Sequence, residues 1–417
     1  MKVIVAHPGK QHSFQLATAL KKAGLLEKYI TSVYNKSNSF TRLLLKFTKG
    51  DLRKKIESRC CEFLDEDDVL QYNEKKVVFT LFLYRFPSIQ KIAEYWNLYV
   101  ESSFYKKVMK FVRKKRPDAV VVYNGYARKY FEIINDVNVV KIMDMSIAKR
   151  EYVQKILQKE IDETGVMQIK KAHFSYWNRT MIKNDLQGCK DVDFFLVPSL
   201  FVKNSLTENG IPDSKIKIVP YGVNIKQFNP ICQKNNSNKL KLIYVGSVTY
   251  RKGIHRLLHV VYNMDGVEIF LAGTYDKHSK IYKNYCKYSH IHFVGFVTRD
   301  RLNELYNSCD VFVLPSFCEG MAMVGLEAMA TGLPIICTRY TGVNDVVRDG
   351  INGFVYDAND EKALRVCIEW FLKNKSHLKE MSLNARNSVL DYSWEHYHER
   401  VAKTIRECII SKKEDKA

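Results

Sequence analysis

The 417 residues include 66 Lys and Arg against 45 Asp and Glu, for a formal charge of +21, and 46% of them are hydrophobic. That length and apolar content can fill two ordinary cores, while no stretch approaches the ~18–20 consecutive apolar residues a membrane-spanning helix needs. The first apolar run, Val3–Ala6, is too short for a secretory leader, and ten cysteines without a Cys-x-x-Cys pair read as free thiols rather than disulfides or zinc ligands, so the chain is expected in the cytosol.

In chain order, Val3–Ala6 reads as a strand and His7-Pro8-Gly9-Lys10-Gln11-His12-Ser13 as a loop. Phe14–Ala23 follows as an amphipathic helix stopped by Gly24. That is how a Rossmann-like domain opens. Residues 36–116 carry the least regular pattern of this half. Within them, Phe40–Arg59 mixes Arg42, Lys46, Lys49, Arg53, Lys54, Lys55 and Arg59 with Phe40, Leu43, Leu44, Leu45 and Phe47, and Gly50 divides it into two short helices. Such a segment is either a solvated helical face or a patch for an anionic membrane surface. The second reading would make the protein peripheral on the inner membrane face.

Asp118–Tyr123 and Val137–Met143 continue the β/α alternation of a parallel sheet. Ligands bind beyond the carboxyl ends of such strands, where Asn124-Gly125 and Asp144-Met145-Ser146 lie as candidate acceptor contacts or ordinary turns. Asp191-Val192-Asp193 has the form of a metal-binding Asp-x-Asp, but it enters the strand Phe194–Val197 and is assigned no metal. Ile216–Pro220, Tyr221-Gly222 and the polar run Gln233–Lys239 mark a boundary near 225–237.

A second unit opens with the strand Leu240–Val245, the turn at Gly246, the basic pair Arg251-Lys252, Gly253 and a helix from Ile254. A lysine at a helix N-terminus is a local match for phosphate. Ile269–Ala272 and Ile291–Val294 are strands ended by Gly273 and Gly295. Arg301–Ser308 is a helix leading to the strand that ends at Leu314. Residues 315–336 then form one strand–loop–helix–strand step, with the helix running from near Ala322 to Gly332, a stop reinforced by Pro334. Its amide end is a seat for a diphosphate. Glu319 lies on the loop before it, and Glu327 lies ~7–8 Å further along the axis. Helices across 360–390 and 395–410 close the chain.

The pattern Pro315-Ser316, Glu319-Gly320, Glu327 and Gly332-Leu333-Pro334, with Lys252-Gly253 upstream, resembles the donor-binding signature of the family 4 retaining glycosyltransferases. The resemblance implies an α/β chain of GT-B architecture, two Rossmann-like doubly wound parallel-sheet domains facing across a cleft. It places the acceptor-side domain at 1–224, the nucleotide-sugar domain at 225–392, and a helix crossing back to the first domain at 393–417. It further implies that Glu319 meets the donor sugar, that Glu327 holds the ribose and that Lys252 grips the diphosphate. Gly246, Arg251, Gly320, Met321, Ala322 and Met323 would line the same seat, with Gly9 and His12 facing it from the first loop. Glu319, Lys252 and His12 are the catalytic candidates.

The activity so implied is retaining transfer of a sugar from a nucleotide diphosphate donor to a glycan or lipid-linked acceptor, in polysaccharide or glycolipid assembly, without metal or cofactor. Two departures stand out: Ser247 occupies a position where the family commonly has an Arg, and His7-Pro8 replaces two glycines. A nucleotide-sugar 2-epimerase on the same architecture and a catalytically idle partner subunit are the alternatives. Nucleic-acid binding is set aside, because no aromatic-basic stacking motif recurs.

Overall fold

The structure is a computed structural model, and it describes all residues except 11, 124–125, 167–168, 170–188, 190, 232–237 and 416–417. Strands β1 (Val3–Ala6), β2 (Leu26–Thr31), β3 (Val69–Gln71), β4 (Ala119–Tyr123), β5 (Val140–Asp144), β6 (Phe194–Val197) and β7 (Ile216–Ile218) form one seven-stranded sheet in the order β3-β2-β1-β4-β5-β6-β7. A six-stranded sheet follows, built from β8 (Leu240–Val245), β9 (Val267–Ala272), β10 (Ile291–Gly295), β11 (Val311–Leu314), β12 (Ile335–Thr338) and β13 (Gly353–Tyr356) in the order β10-β9-β8-β11-β12-β13. Every pairing is parallel, for example Val3 with Ala119 and Phe312 with Ile335. Parallel strands are covered by helices on both faces, which is why β1, β4, β6 and β11 are unbroken apolar runs buried along their length.

The helices in the first half are α1 (Ser13–Lys22), α2 (Phe40–Leu44), α3 (Gly50–Glu57), α4 (Glu74–Leu83), α5 (Gln90–Lys115), α6 (Arg150–Thr164) and α7 (Leu200–Thr207). The second half contributes α8 (Ile254–Val261), α9 (Lys280–Tyr285), α10 (Arg299–Asn307), α11 (Met323–Ala330), α12 (Glu361–Lys373), α13 (Leu378–Ser388) and α14 (Trp394–Glu414). The last of these runs back along α1. His398 Nε2 lies 2.8 Å from Gln15 Oε1, Arg406 donates to the Ala23 carbonyl at 3.0 Å, and Lys413 pairs with Asp118 at 2.7 Å.

Two expectations change. Residues 36–116 are ordered into α2, α3, β3, α4 and α5, and α5 alone runs 26 residues, about 39 Å. Ile216–Ile218, expected within a passage between domains, instead pairs with β6 as the edge strand of the first sheet.

Candidate functional site

In each sheet the strand order reverses between two neighbours, β1/β4 in the first and β8/β11 in the second, and a crevice opens beyond the carboxyl ends at such a point. In the second sheet the reversal brings together the loop after β8, residues 246–253, and the loop after β11, residues 315–322. They touch closely. Phe317 N–H donates to the Arg251 carbonyl at 3.1 Å, and Gly253, at φ +70°, leaves no room for a side chain, since a Cβ there would lie 1.9 Å from the Pro315 carbonyl oxygen. Gly253 also caps α8, which therefore points its amide end at the same crevice.

This junction joins residues 67 positions apart in the chain. Lys252 Nζ donates to Glu319 Oε1, with both side chains mostly buried. Arg251 Nη1 lies 3.6 Å from the same carboxylate oxygen and donates to the Cys318 carbonyl at 2.8 Å. Two cations thus stand on one carboxylate. Ser247 contributes its carbonyl, which accepts from the Tyr244 hydroxyl at 3.0 Å behind the Gly246 turn.

Helix α11 begins one residue beyond the expected start. Ala322 is its cap and spends its own N–H on the Thr341 carbonyl at 3.0 Å, and Gly325 N–H donates to the Ala322 carbonyl at 2.9 Å, leaving the Met323 and Val324 amides as the donors at this end. Met321 is buried beside them and Met323 is half-buried. Glu327 lies further along the helix, its side chain 8% exposed, and burial pushes its carboxyl up to about 7 against the pull of Arg299, whose Nη2 is 4.0 Å away.

Gly320 sits where the two halves meet. A Cβ on it would lie 1.8 Å from the Ser146 carbonyl oxygen, and its own carbonyl accepts from the Ser199 hydroxyl at 2.5 Å. Nearby, Leu200 N–H donates to Asp345 at 2.7 Å. Beside this contact opens a cavity of about 290 Å³, lined by Arg251, Glu319 and Met321 from the second half and by Ser146, Arg150 and Gln154 from the first.

From the first half, His12 Nε2 lies 3.1 Å from Asp144 Oδ2, and its ring packs against Tyr221 and Tyr123 at centroid distances of 4.2 and 5.2 Å. His12 makes no side-chain cap bond to α1; Asp144, at the end of β5, is what positions it. The Gly9 N–H donates to His7 Nδ1 at 2.8 Å, so that amide is turned onto its own loop. Lys10 donates to the Ser58 carbonyl, and burial together with the nearby Arg59 and Arg299 holds its ammonium below the ordinary lysine range. Asp193 accepts from the Lys141 amide and pairs with Lys412 at 2.9 Å at the amino end of β6, far from the crevice. Asn124 and Gly125 lie outside the described residues.

The sequence marks Lys252, Glu319 and Glu327, and Pro198-Ser199 as a strand end, but not Arg299 or Arg150. Those two sit in the first turns of helices with no local pattern to mark them.

Residues 226–388 match the family model described as glycosyl transferases group 1. Among curated proteins, the chain is similar to an uncharacterized glycosyltransferase of Methanocaldococcus jannaschii, 28% identical over 44% of this chain and 52% of the relative. It is also similar to an alpha-galactosylglucosyldiacylglycerol synthase of Streptococcus pneumoniae, at 26% over 55% and 61%. A capsular polysaccharide biosynthesis glycosyltransferase of Staphylococcus aureus matches at 28% over 52% and 61%. The chain spans less than two thirds of the length of each of these relatives. Among solved structures, a sucrose-phosphate synthase from Thermosynechococcus elongatus superposes with a TM-score of 0.67 at 16% identity, covering 99% of this chain and all of that one. The Anabaena protein HepE, solved in complex with UDP-glucose, superposes with a TM-score of 0.62 at 14% identity, covering 98% of this chain and all of its own. Those likenesses are of fold, the GT-B architecture, and it is residues 226–388 of this chain that are similar to the group 1 glycosyl transferases.

Proposed function

We propose that the chain transfers a sugar, with retention of configuration, from a nucleotide diphosphate sugar to a hydroxyl of a glycan or lipid-linked acceptor. The observation that carries this reading is the meeting of Lys252, Arg251 and Glu319 at the reversal point of the second sheet, under the amide ends of α8 and α11. Departure of a nucleoside diphosphate builds negative charge on the β-phosphate, and fixed cations and amide dipoles are what that transition state asks for. Lys252 and Arg251 supply the cations. When a donor enters, Lys252 exchanges the Glu319 carboxylate for phosphate, and Glu319, so released, accepts hydrogen bonds from the sugar hydroxyls.

Glu327, buried further along α11, takes the ribose hydroxyls. His12, held by Asp144, approaches the transferring sugar from the first half, and the acceptor enters by the cavity beside Ser146 and Arg150. No enzyme nucleophile is needed, and protein cations take the place a metal has in other transferases. The relatives' printed names, a glycolipid synthase and a capsular polysaccharide transferase, support an acceptor of that class. The neighbour solved with UDP-glucose supports a nucleotide-sugar donor.

The test is a mass-spectrometric screen of the purified protein against a panel of nucleotide sugars and glycan acceptors, with and without EDTA. Diphosphate release coupled to acceptor glycosylation, unaffected by EDTA, is the expected result. Accumulation of a donor epimer with no acceptor present, or loss of activity on chelation, would overturn the reading.

A further inference from the structure

Helices α4 and α5 form an antiparallel hairpin that stands out from the first sheet. The second half of α5 buries Phe104, Tyr105, Val108, Met109 and Val112 in the core, whereas among residues 90–99 only Ala93 is buried. On the outer part of the hairpin Leu81, Phe82, Tyr84, Phe86, Ile92 and Tyr95 are each between 44% and 61% exposed. Among them runs a connected aromatic cluster of Phe79, Phe82, Phe86 and Trp96. Phe79 stacks on Phe82 at 6.3 Å and meets Trp96 edge-on at 5.5 Å, and Phe82 meets Phe86 at 5.1 Å. Scattered exposed apolar residues are ordinary, but a contiguous aromatic tip of this kind marks a surface that something covers.

We propose that this tip is a membrane-docking surface, and that its occupant is the interfacial layer of an anionic lipid bilayer. Charge complementarity selects that occupant. Across residues 74–101 the basic side chains Lys75, Lys76, Arg85 and Lys91 stand among three acids, of which Glu74 is turned onto the Phe40 and Thr41 amides and Glu101 is drawn towards its neutral form by burial, which leaves Glu94. At the foot of the hairpin, Lys75 lies over the Phe40 ring at 5.8 Å and Glu74 accepts from the Phe40 and Thr41 amides, which sets α2, with exposed Arg42 and Leu43, at the base of the hairpin. Aromatic side chains ringed by Lys and Arg are the composition that settles at the headgroup level, where the rings enter the acyl boundary and the cations meet anionic lipid. No helix among the described residues is long and apolar enough to cross a membrane, so attachment of this kind is peripheral and reversible.

The docking surface lies on the α4–α5 hairpin, with α2, the first part of the basic segment Phe40–Arg59, at its base. That a bilayer-borne acceptor is delivered to the cleft rests on the transferase reading. Attachment does not, and its test reads binding alone.

The experiment is co-sedimentation of the full chain with phosphatidylcholine vesicles containing none or roughly a third phosphatidylglycerol, at low salt and at about 0.5 M salt, where screening shortens to a few Å. Binding should appear with the anionic vesicles and weaken in salt. Phe82→Asp with Phe86→Asp should reduce the bound fraction at least ~10-fold, with circular dichroism and the thermal midpoint unchanged because both side chains face solvent. Arg53→Glu should reduce it far less. Three results would overturn the proposal: no binding to anionic vesicles, a double variant that binds like wild type, or a tip that covers itself. The last would show as a wild-type dimer in sedimentation velocity that Phe82→Asp dissociates.

Discussion

Arg256 of α8 grips Glu160 of α6 through Nε and Nη2 at 2.9 and 2.7 Å, and that carboxylate has no solvent exposure. His255 Nε2 at 2.7 Å and the Asn359 amide at 2.7 Å complete its surroundings. The pair ties the first half of the chain to the helix that follows Lys252-Gly253. Removing one partner of such a buried pair leaves the other charged and unpaired, so Glu160→Ala should cost about 3–5 kcal/mol in chemical denaturation. Glu163→Ala, on the exposed rim of the same cluster, should cost under about 1 kcal/mol. Burial opposes ionisation of Glu160, but His255 and Arg256 hold its carboxyl below the ordinary range. Its contribution is therefore complete at neutral pH and is lost only as the pH falls through and below about 4.3.

Glu327 has the opposite sign. Burial raises its carboxyl from 4.5 to about 7, so the folded chain favours the neutral form, and wild-type stability should decline as the pH climbs from about 4.5 towards 7. Glu327→Gln keeps the shape without the charge. It should match wild type near pH 4 and exceed it by roughly 3 kcal/mol above pH 7, while binding free nucleoside diphosphate about 10- to 150-fold more weakly if Glu327 holds the ribose. Urea denaturation at the two pH values and calorimetric titration read the two effects separately. A variant that binds nucleotide normally would remove Glu327 from the site.

Lys252→Ala should lower kcat/KM by about 10²-fold or more, the usual loss when a preorganised charge on a leaving group is removed. Glu319→Ala should cut turnover while nucleoside diphosphate still binds. The double variant should be much less than additive, because the two side chains contact each other directly. Steady-state kinetics on the four proteins form the cycle, and full additivity would separate the two residues functionally.

Gly320→Ala tests the contact between the halves. The new methyl group meets the Ser146 carbonyl, which is backbone and cannot swing aside, so the loop or the halves must shift. Overpacking of this kind costs about 1–3 kcal/mol, and activity should fall further than stability because Glu319 is the adjacent residue. Small-angle scattering should report a larger radius of gyration.

Much of the second half was legible because its elements are punctuated. Leu240–Val245, bounded by Lys239 and Gly246, was placed to the residue, and so was Phe194–Val197 in the first half. The helix at Met323–Ala330 was found through Gly332 and Pro334. Strand β2 escaped because Leu26, Glu27 and Lys28 are only half-buried and mix charge into the run. The α4–α5 hairpin escaped for a different reason. Its apolar residues point to solvent as well as inward, so no single stripe marks a buried face. Lys252 and Glu319 were each identifiable from local motif, but their pairing, like that of Glu160 with Arg256 across 96 positions, belongs to the topology and leaves no trace in spacing.

The return of α14 onto α1 has a consequence for how the protein is made. On a ribosome the first sheet is complete in sequence once β7 has emerged, yet Ala19 and Ala23 on α1 lie in the groove beside α14, which is lined from its own side by His398, Ala402 and Arg406. That face of α1 stays bare until α14, Trp394–Glu414, has been synthesised, at ~5–20 residues per second. Helix α1 thus waits for α14, and a nascent chain stalled anywhere between residues 225 and 393 exposes a surface for holding chaperones to recognise.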